Sequence, residues 1–576
     1  MGEKILRVNM NDLTTAIEAV PEDWAFLGGR ALTSAIIADE VPPMCDPLGK
    51  HNKLVFAPGL LAATAAANCG RLSAGFKSPL TGGIKESSAG GNAALNLERL
   101  GIKALIIEGV PQEDKWYSIH VNKDGATIKE DSEYIGKGNY ELFKALSEKL
   151  GKKIGLMATG PAGEFKMTAA NISVKDPDGN IRSHGRGGGG AVMGSKKVKY
   201  ISIDDSGGKN VTLTDPGKFK QNAGIFAKAL IDFPVTGQAL GRFGTNLMTN
   251  VINGAGAFPT KNFRSGTNEN AEKISGENMY EVIVAREGVP THSCQAGCVV
   301  KCSQTYNDEN KKFVTAGFEY ETIALMGSNT LINDLDCVAK CDWAMDDIGI
   351  DSIDCAVAIS VAMEAEVLKW GDGPEAYRLI NEEIRKGTPL GHILGNGAGS
   401  VGKAYDIARV PVVKNQAMSA YDPRTIKGFG VTYATSPMGA DHTAGWACGA
   451  NIFGIGGHVD PLKNEGQVAL SRKLQIEDAF TDSLGMCHIP TMILTAVPDS
   501  YAAIVEMVNA RYGLSLTTHD FEEMGKICLK TERAFNQKAG FTNADDRLPA
   551  FFAEPLPPHN VGWDMSGEEV DEFWNF

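Results

Sequence analysis

The sequence lacks three features that would place it in common membrane, secreted or disulfide-bonded classes. No apolar run reaches the roughly 18 to 20 residues that span a bilayer. The first residues lack the apolar core of a signal peptide. Eleven cysteines in 576 residues are too few for a disulfide-bonded scaffold. We therefore expect a cytoplasmic protein whose clustered cysteines bind metal and whose scattered cysteines are buried.

Basic residues are also in deficit. The chain has 56 Lys and Arg against 70 Asp and Glu, a net charge of −14. Nucleic acids and anionic membranes bind basic surfaces, so neither is expected as the main partner. The 43% hydrophobic and 22% charged content is that of an ordinary folded protein, and the length predicts about two to four domains.

Glycine, in contrast, is abundant. The chain has 66 glycines, many within the first 200 residues, including the run Gly185-Arg-Gly-Gly-Gly-Gly190. This run lacks the Gly-Lys-[Ser/Thr] ending of a nucleotide-binding P-loop. Two interpretations remain open for these glycines: close approach of backbone to a ligand, or sharp turns in a β-rich domain.

The chain changes character near residue 206. Short strand-like runs bounded by Gly, Asp or Pro precede that point, at residues 53–57, 104–108, 117–121 and 198–203. Residues 204–210 read as a linker. Apolar residues at helical spacing follow, at residues 342–348, 354–369, 471–484 and 521–539.

These patterns predict an α+β protein with a β-rich domain over residues 1–206 and two mainly α-helical domains. A break near residues 410–415 divides the helical part into residues 211–412 and 413–576. The last segment, residues 549–576, contains Pro555-Leu-Pro-Pro558 and is predicted to be an extended surface segment.

Three cysteines lie within nine residues, at Cys294, Cys298 and Cys302, and a fourth lies far downstream at Cys487. Four thiolates are the ligand set of a [4Fe–4S] cubane. Pro290 and Gly297 indicate a loop or broken turn rather than a continuous helix. Zinc and buried thiols are the alternatives, although structural zinc sites usually combine two short two-cysteine knuckles.

A hexapeptide pattern occurs twice in the helical part. Asp346-Asp-Ile-Gly-Ile-Asp351 ends in a carboxylate, and Asp482-Ser-Leu-Gly-Met-Cys487 ends in a thiol. The repeat indicates two equivalent halves around something bound between them. The alternative, two helix ends that match by chance, remains open.

Several blocks together resemble one known family. The chain is similar, nearly end to end, to the tungsten-containing aldehyde ferredoxin oxidoreductases. The resemblance rests on residues 28–32, 69–82, 185–196, 318–322, 421–424 and 433–442, and on both repeated hexapeptides.

The resemblance implies a tungsten (or molybdenum) bis-molybdopterin at the interface of a β-rich base domain and two helical domains. It further implies a [4Fe–4S] cluster on the four cysteines and a Mg²⁺ ion bridging the pterin phosphates. Arg71 matches the family arginine that links cluster and pterin. The other matching cofactor positions are Ser88, Gly90, Arg182, Ser183, His184, Arg186, Gly187, Asp346, Ile350, Asp351, Asp482, Met486 and Cys487.

The same resemblance gives candidate catalytic residues. Glu321 matches the family's active-site glutamate and His442 its active-site histidine. Aldehyde oxidation requires a base and a donor to the developing oxyanion, which are the roles expected for Glu321 and His442. Tyr320 is expected to orient the carbonyl. Taken alone, the Glu-Tyr-Glu run also fits a solvated helix start, and a lone histidine also fits a structural role.

Four departures from the family pattern affect its implications. Ser88 stands where asparagine is expected, and the first cysteine gap is one residue longer than expected. A Glu-x-x-His that binds iron between subunits in homodimeric members reads Lys340 and Trp343 here. Ala444 replaces a basic residue. A homo-oligomer would therefore lack the interface iron, and ferredoxin or a dedicated iron–sulfur subunit is the expected electron acceptor.

Two other functions remain open from the sequence. A superfamily relative could catalyse a low-potential reduction, as a benzoyl-CoA reductase catalytic subunit does, but we expect such chains to lack the Glu-Tyr-Glu and Tyr-Asp-Pro-Arg blocks. A non-catalytic electron-transfer subunit would have no need of a pterin cradle.

Overall fold

Two six-stranded β-sheets form the amino-terminal part of the structure, a computed structural model that describes residues 3–576. In the first sheet the order is β2-β1-β6-β3-β4-β5, with β1 and β6 parallel and the other pairs antiparallel. Its strands are β1 (Lys4–Asn9), β2 (Thr14–Ala19), β3 (Leu54–Pro58), β4 (Leu72–Lys77), β5 (Ile84–Ala89) and β6 (Ile102–Glu108).

The second sheet has the order β11-β10-β9-β12-β7-β8, with β12 and β7 parallel. Its strands are β7 (Tyr117–Asn122), β8 (Gly125–Glu130), β9 (Gly155–Thr159), β10 (Ile172–Lys175), β11 (Ile181–His184) and β12 (Val198–Ile203). The four strands expected from the sequence in this part of the chain are confirmed. Each observed strand lies within two residues of its expected limits.

Both faces of the first sheet are covered, which explains why β3, β4 and β6 are buried almost throughout. Successive side chains of a strand point to opposite faces. Val55 packs with Ile36 of helix α1 (Gly29–Glu40), whereas Phe56 packs with residues of the second sheet such as Met157. The two sheets thus share one hydrophobic core.

Five helices accompany the sheets, and seventeen follow them in the part of the chain that the structure describes. Helix α1 is followed by α2 (Ala93–Arg99), α3 (Asn139–Leu150), α4 (Pro161–Glu164) and α5 (Gly189–Ser195). Residues 204–210, where a linker was expected, contain neither helix nor strand.

The helices of the remaining chain build two further cores. The first seven are α6 (Pro216–Asp232), α7 (Leu240–Phe243), α8 (Met248–Gly254), α9 (Gly276–Ala285), α10 (Tyr320–Met326), α11 (Leu335–Ile348) and α12 (Ser352–Glu364). The next five are α13 (Gly373–Arg378), α14 (Pro389–Gly395), α15 (Ala398–Tyr405), α16 (Lys427–Thr435) and α17 (Cys448–Asn451). The last five are α18 (Gln467–Ser483), α19 (Thr491–Ala496), α20 (Ser500–Tyr512), α21 (Thr518–Lys538) and α22 (Gly567–Asp571). A β-rich part followed by helical parts confirms the expected fold class.

Short strands interrupt the helical part in two places. A three-stranded antiparallel sheet consists of β13 (Val289–His292), β14 (Ser303–Asn307) and β15 (Phe313–Ala316), and a hairpin joins β16 (Val412–Val413) to β17 (Gln416–Ala417). The three-stranded sheet lies in a part of the chain that was expected to be mainly helical. These strands are short and largely polar, so they show little of the alternation of apolar and polar residues by which a strand is predicted from sequence.

The carboxyl-terminal segment also departs from expectation. Residues 549–576 were expected to be an extended surface segment, but they include the 3₁₀ turn Ala550–Ala553 and helix α22. Phe552, Leu556 and Phe573 are fully buried. Phe573 packs with Val431 and Ala434 of α16. Three large apolar side chains therefore anchor residues 549–576, although the prolines of this segment indicated an extended conformation.

Within residues 3–576, the structure contains no helix that combines the length and apolarity needed to cross a bilayer.

Candidate active site

A cavity of about 360 Å³ lies where the two sheets meet the helical parts. Strands β5 and β11, the start of α10 and the ends of α11 and α18 all contribute side chains to it. Among the expected site residues, those in its wall are Arg71, Ser88, Gly90, Arg182, Ser183, Arg186, Cys294, Glu321, Asp346, Ile350, Asp351, His442 and Asp482.

The two hexapeptide repeats have the same local structure. Helix α11 ends at Gly349 (φ 72°), and the chain leaves α18 through Gly485 (φ 74°), both in the left-handed region that favours glycine. In each repeat the next residue donates its N–H to a carbonyl five residues back, at 3.0 Å for Ile350 and 3.1 Å for Met486. The resemblance between the two sequences is therefore also a resemblance in backbone conformation.

Both repeats join the sheet part through equivalent backbone hydrogen bonds. The Gly349 carbonyl accepts from Asn171 N at 2.9 Å, and the Gly485 carbonyl accepts from Arg71 N at 3.0 Å. Two residues later, Asp351 N donates to Ala169 O and Cys487 N donates to Asn68 O, each at 2.9 Å. Each helix end is thus fixed to the base by a pair of main-chain hydrogen bonds.

The side chains of the two repeats also have equivalent partners. Asp351 Oδ2 lies 3.2 Å from Arg186 Nε, and Cys487 Sγ lies 3.7 Å from Arg71 Nη2. At the other end of the second repeat, Asp482 Oδ2 pairs with Arg30 Nη1 at 3.2 Å. In the first repeat, Tyr140 OH donates to Asp346 Oδ2 at 3.4 Å.

Burial disfavours the charged form of several carboxyl groups of this cavity. It raises the pKa of Asp346 and of Asp482 well above the usual range, although Arg182 and Arg30 oppose the shift. Burial also raises the pKa of Asp342 to about 7. A carboxyl group shifted in this way gains most from a ligand that brings N–H donors. The two ends of the cavity therefore fit a ligand with polar N–H edges at both ends.

The three clustered cysteines lie in a loop, as the sequence indicated, and this loop joins β13 to β14. It turns through Gly297 (φ 74°) and Lys301 (φ 54°), and Cys487 approaches it from the end of α18. Burial raises the pKa of Cys294 to about 12 and that of Cys302 well above its usual value, with each of these thiols also raised by Cys298 and Cys487. Among residues 3–576, no three His, Cys, Asp or Glu side chains are spaced to hold a single metal ion. The four thiols are nevertheless close enough for their charges to interact, and four thiolates are the ligand set of the expected cluster.

Asn68 connects the sheet part to this loop. Its Nδ2 donates to Cys298 Sγ at 3.4 Å, and its Oδ1 accepts from Val299 N at 3.1 Å. Its main chain donates to Gly297 O at 3.1 Å and accepts from Cys487 N and from Gln295 Nε2. One buried asparagine therefore contacts both sources of cysteine.

Arg71 lies between the thiols and the cavity. Its Nη1 donates to Ser88 O at 3.2 Å and its Nη2 reaches Cys487 Sγ. Cys487 and Cys294 raise its pKa despite burial, so it stays charged. Its Nε has no hydrogen-bond partner among the described residues. A buried, charged donor with one free N–H fits a residue that completes its contacts on a ligand.

The expected phosphate-side residues divide into two groups. Ser183 lines the cavity and its Oγ has no partner within residues 3–576. Arg182 and Arg186 also line it but already pair with Asp176 at 3.1 Å and with Asp351. A phosphate would therefore share these two guanidinium groups with carboxylates.

Four expected cofactor residues are outside the wall of the cavity, namely Cys487, which contacts Arg71, and His184, Gly187 and Met486. His184 is fully buried, donates from Nδ1 to Ser87 O at 2.7 Å, and has a pKa lowered to about 4 by burial. Gly187 forms a turn against the Lys85 side chain. Met486 is buried in the core that carries α20 and α21. His184, Gly187 and Met486 therefore contribute to the packing around the cavity and not to its wall.

The two candidate catalytic groups lie together. Glu321 is in the first turn of α10, and His442 begins a 3₁₀ turn after Asp441. Glu321 Oε1 lies 3.4 Å from His442 Nε2. Ala420 N donates to Glu321 Oε2 at 2.7 Å, and Ser419 Oγ lies 2.9 Å from His442 Nδ1. Residues 419–420 therefore position both groups.

Burial makes this pair neutral near pH 7. It raises the pKa of Glu321 to about 8, with Asp441 adding to the shift, and it lowers the pKa of His442 to about 3. Arg186 favours the charged form of Glu321 and opposes that of His442. A carboxyl group with a pKa near 8 beside a neutral imidazole is suited to accept and return a proton at physiological pH.

Tyr320 does not occupy the expected place. Its hydroxyl group donates to Ala420 O at 2.7 Å, and its side chain is buried outside the cavity wall. The expectation that Tyr320 orients a substrate carbonyl therefore does not agree with its position. Instead it holds the peptide unit whose neighbouring N–H binds Glu321.

Sequence reasoning also assigned no role to several charged residues in or next to the cavity wall. Arg30 joins Asp482 to the buried Glu532, and Lys85 pairs with Asp441 at 3.1 Å. Glu86 and Glu319 line the wall directly. Arg30 and Glu319 lie within family-like blocks, which was the available signal. Lys85 and Glu86 lie on an edge strand, outside those blocks, and the sequence contained no signal for them.

Comparisons with known proteins agree with these observations. Residues 5–205 match the family model described as the amino-terminal domain of aldehyde ferredoxin oxidoreductase, and residues 225–574 match the model of its domains 2 and 3. The chain is 33% identical to a tungsten-containing aldehyde ferredoxin oxidoreductase of Thermococcus kodakarensis, over 96% of this chain and 92% of that protein.

Other relatives are similar over comparable lengths. The enzyme with the same description from Pyrococcus furiosus is 32% identical over 96% of this chain and 92% of its own. The WOR-like subunit of an aliphatic sulfonate oxidoreductase, also from Pyrococcus furiosus, is 25% identical over 92% and 86%. The active-site complex BamBC of benzoyl-coenzyme A reductase shares the fold, with a TM-score of 0.79 and 19% identity over 99% of this chain and 92% of that one.

Proposed function

The chain belongs to the aldehyde ferredoxin oxidoreductase family, and we propose that it oxidises aldehydes to carboxylic acids at a tungsten (or molybdenum) bis-molybdopterin centre. One observation carries this proposal. The neutral Glu321–His442 pair lies in the wall of the same cavity that receives both equivalent helix ends and Cys294. Acid–base groups, a two-ended polar cradle and a redox ligand set are thus in one place.

The residues present fit the proposed cofactors. Asp346, Ile350 and Asp351 would hold one pterin, and Asp482 and Cys487 the other, because these helix ends supply buried carboxyl groups whose charged form burial disfavours. Ser88, Gly90 and Ser183 would face the phosphates and their Mg²⁺. The four cysteines would hold the [4Fe–4S] cluster. When bound, the oxidised metal would accept two electrons and polarise the substrate carbonyl as a Lewis acid.

The residues of the chain would manage the protons of this reaction. An aldehyde and water give a carboxylic acid, two electrons and two protons. Glu321, in its deprotonated form, would take the proton of the attacking water. His442 is neutral, and Nε2–H would donate to the developing oxyanion if Ser419 O–H donates to Nδ1. Asp441 favours the imidazolium form while burial opposes it, so the ring remains uncharged.

The electrons would leave one at a time through the cluster to ferredoxin or a dedicated iron–sulfur subunit. Arg71 supports this route because it contacts Cys487 and also faces the cavity. The cytoplasm, where such carriers occur, is the proposed compartment.

Elemental analysis of anaerobically purified protein, combined with pterin release, tests the proposal. We expect about one group-six metal and about two pterins per chain, together with iron, as the proposed ligand set implies. An aldehyde panel with a viologen dye should then show oxidation, whereas a reductase of aromatic thioesters would not reduce the dye with aldehydes. Iron without a group-six metal or pterin would rule the function out.

A further inference from the structure

Four chain segments surround the outer side of the cysteine loop. Residues 60–70, 234–244 and 486–498 pack with residues 290–303 in one apolar cluster that includes Ala66, Leu240, Val299 and Ile489. Thr291 Oγ1 donates to Gly241 O at 2.6 Å, and Asn68 N donates to Gly297 O. The segments therefore form a continuous surface over the thiols.

This surface is unusual in its charge. Charged residues make up 22% of the chain, and acidic residues outnumber basic ones. In the four segments the Asp, Glu, Lys and Arg residues are Arg242 and Lys301 alone, both basic and both exposed. The part of the surface nearest the thiols thus carries no acidic residue of its own on a protein with a net charge of −14.

The exposed residues of these segments are mostly small. We call the patch formed by Ala65, Arg242, Ala296, Gly297 and Lys301 the cluster face. Lys301 N donates to Cys298 Sγ at 3.3 Å, so this backbone is the layer between that thiol and solvent. The Arg242 guanidinium lies over the rings of Phe243 and Tyr280, at 4.9 and 4.8 Å from their centroids, which holds its charge at a fixed position.

We propose that the cluster face is the docking site of an acidic iron–sulfur electron carrier, an inference that rests on the proposed function. Small, uncharged side chains allow another protein to approach the thiols closely, and Arg242 and Lys301 would pair with acidic groups on its rim. Interface centres are depleted in charge while charges at the rim steer association. Complexes between redox partners typically have small, transient interfaces, and a patch of five residues suits such an interface. Each encounter would oxidise the cluster by one electron and reduce the carrier by one.

Charge reversal tests this assignment. Lys301→Glu, Arg242→Glu and the double variant change exposed side chains and leave the Lys301 N–H to Cys298 in place. The matched control is Lys311→Glu combined with Lys312→Glu, which makes the same change in net charge at the tip of the β14–β15 hairpin. The probe is a purified acidic bacterial-type ferredoxin, and its Kd for each holoenzyme variant is measured by biolayer interferometry at low and high salt.

We expect the double variant to bind ferredoxin at least about tenfold more weakly at low salt, with a smaller difference at high salt. Its kcat/KM for ferredoxin should fall in parallel, while oxidation of aldehyde with a small viologen dye should be unchanged. Equal ferredoxin affinity of the double and control variants would overturn the docking site and leave the proposed function intact. Absence of dye-linked aldehyde oxidation in the unmodified holoenzyme would instead refute the proposed function.

A second copy of this chain is the other occupant that the same experiment detects. If the cluster face were a contact between copies, the double variant would shift to a smaller species in light scattering without a change in ferredoxin affinity. That result would also overturn the proposal.

Discussion

Glu321 Oε1 and His442 Nε2 are 3.4 Å apart, although 120 positions separate the two residues in the chain. Neither group carries charge near pH 7, because burial raises the pKa of the carboxyl group to about 8 and lowers that of the imidazole to about 3. In this resting form the carboxyl group is protonated and the imidazole is uncharged. This arrangement leads to the first prediction.

The rate of aldehyde oxidation should rise with pH until about pH 8. The base form of Glu321 is the minor form below its pKa, so kcat/KM should increase up to tenfold per pH unit below pH 8 and level off above it. Glu321→Gln should lower kcat/KM by about 10² to 10⁴ and remove this rising limb. His442 should contribute no limb between pH 5 and 9, because its pKa lies below that range.

A suitable control is Glu522→Gln, which changes an exposed carboxylate of α21. That variant should keep both the rate and the pH profile. Persistence of the rising limb in Glu321→Gln would show that another group supplies the base.

Ser419 should act as a positioning residue for His442. Arg186 Nη1 lies 3.5 Å from Ser419 Oγ and can only donate, so the hydroxyl hydrogen is free to point to His442 Nδ1. Ser419→Ala should lower kcat about tenfold, equivalent to ~1.4 kcal/mol in the barrier, with little change in KM. Ser419→Thr, which keeps the hydroxyl group, should restore most of the rate. A loss in KM alone, or no rescue by threonine, would count against this role.

Asn68 should set the reduction potential of the proposed cluster. Its Nδ2 donates to Cys298 Sγ, and donors to cluster sulfur raise the potential. Asn68→Asp retains the shape and tolerates the positive φ of 61° but replaces the donor with a negative charge. We expect a more negative midpoint potential in an electron paramagnetic resonance titration. Asn68→Gly, which removes the donor without adding charge, should give a smaller shift in the same direction. An unchanged potential in both variants would contradict this assignment.

The glycine at the end of α11 should be indispensable for cofactor retention. Gly349 has a positive φ, and an added Cβ would lie 2.9 Å from Gly160 N. Gly82 also has a positive φ but has no atom within 4 Å of such a Cβ. Gly82→Ala should cost about 1 to 2 kcal/mol through backbone strain alone. Gly349→Ala should lower the Tm further and reduce the group-six metal content. Equal effects of the two variants on Tm and metal content would show that the close contact is unimportant.

The parts of the fold that the sequence predicted well are those determined locally. The helical spacing over residues 342–348 predicted the end of α11, and there the structure has Gly349 in the left-handed conformation and Asp351 accepting from Ile353 N at 2.9 Å. Strands such as β12 are buried runs of β-branched and aromatic residues. In both cases a few neighbouring residues decide the conformation.

The parts that the sequence did not predict depend on distant partners. Strand β14, Ser303-Gln-Thr-Tyr-Asn307, exists because β13 and β15 flank it, and its own composition favours no regular structure. Phe573 is buried because α16 lies beneath it. The role of Tyr320 was misjudged for the same reason, since its hydroxyl partner is the carbonyl of Ala420, 100 residues away. The spacing of apolar and polar residues does not show which distant parts of the chain come into contact.

Main-chain atoms make the bonds that fix both helix ends to the sheets, from Asn171 and Arg71 on one side to Gly349 and Gly485 on the other. Main-chain hydrogen bonds do not depend on the side chain, so they form equally with Asp351 and with Cys487 at the sixth position of the hexapeptide. Asp351 in one copy and Cys487 in the other thus make the two ends of the cavity chemically different, and under the proposed function electrons would leave at the Cys487 end alone.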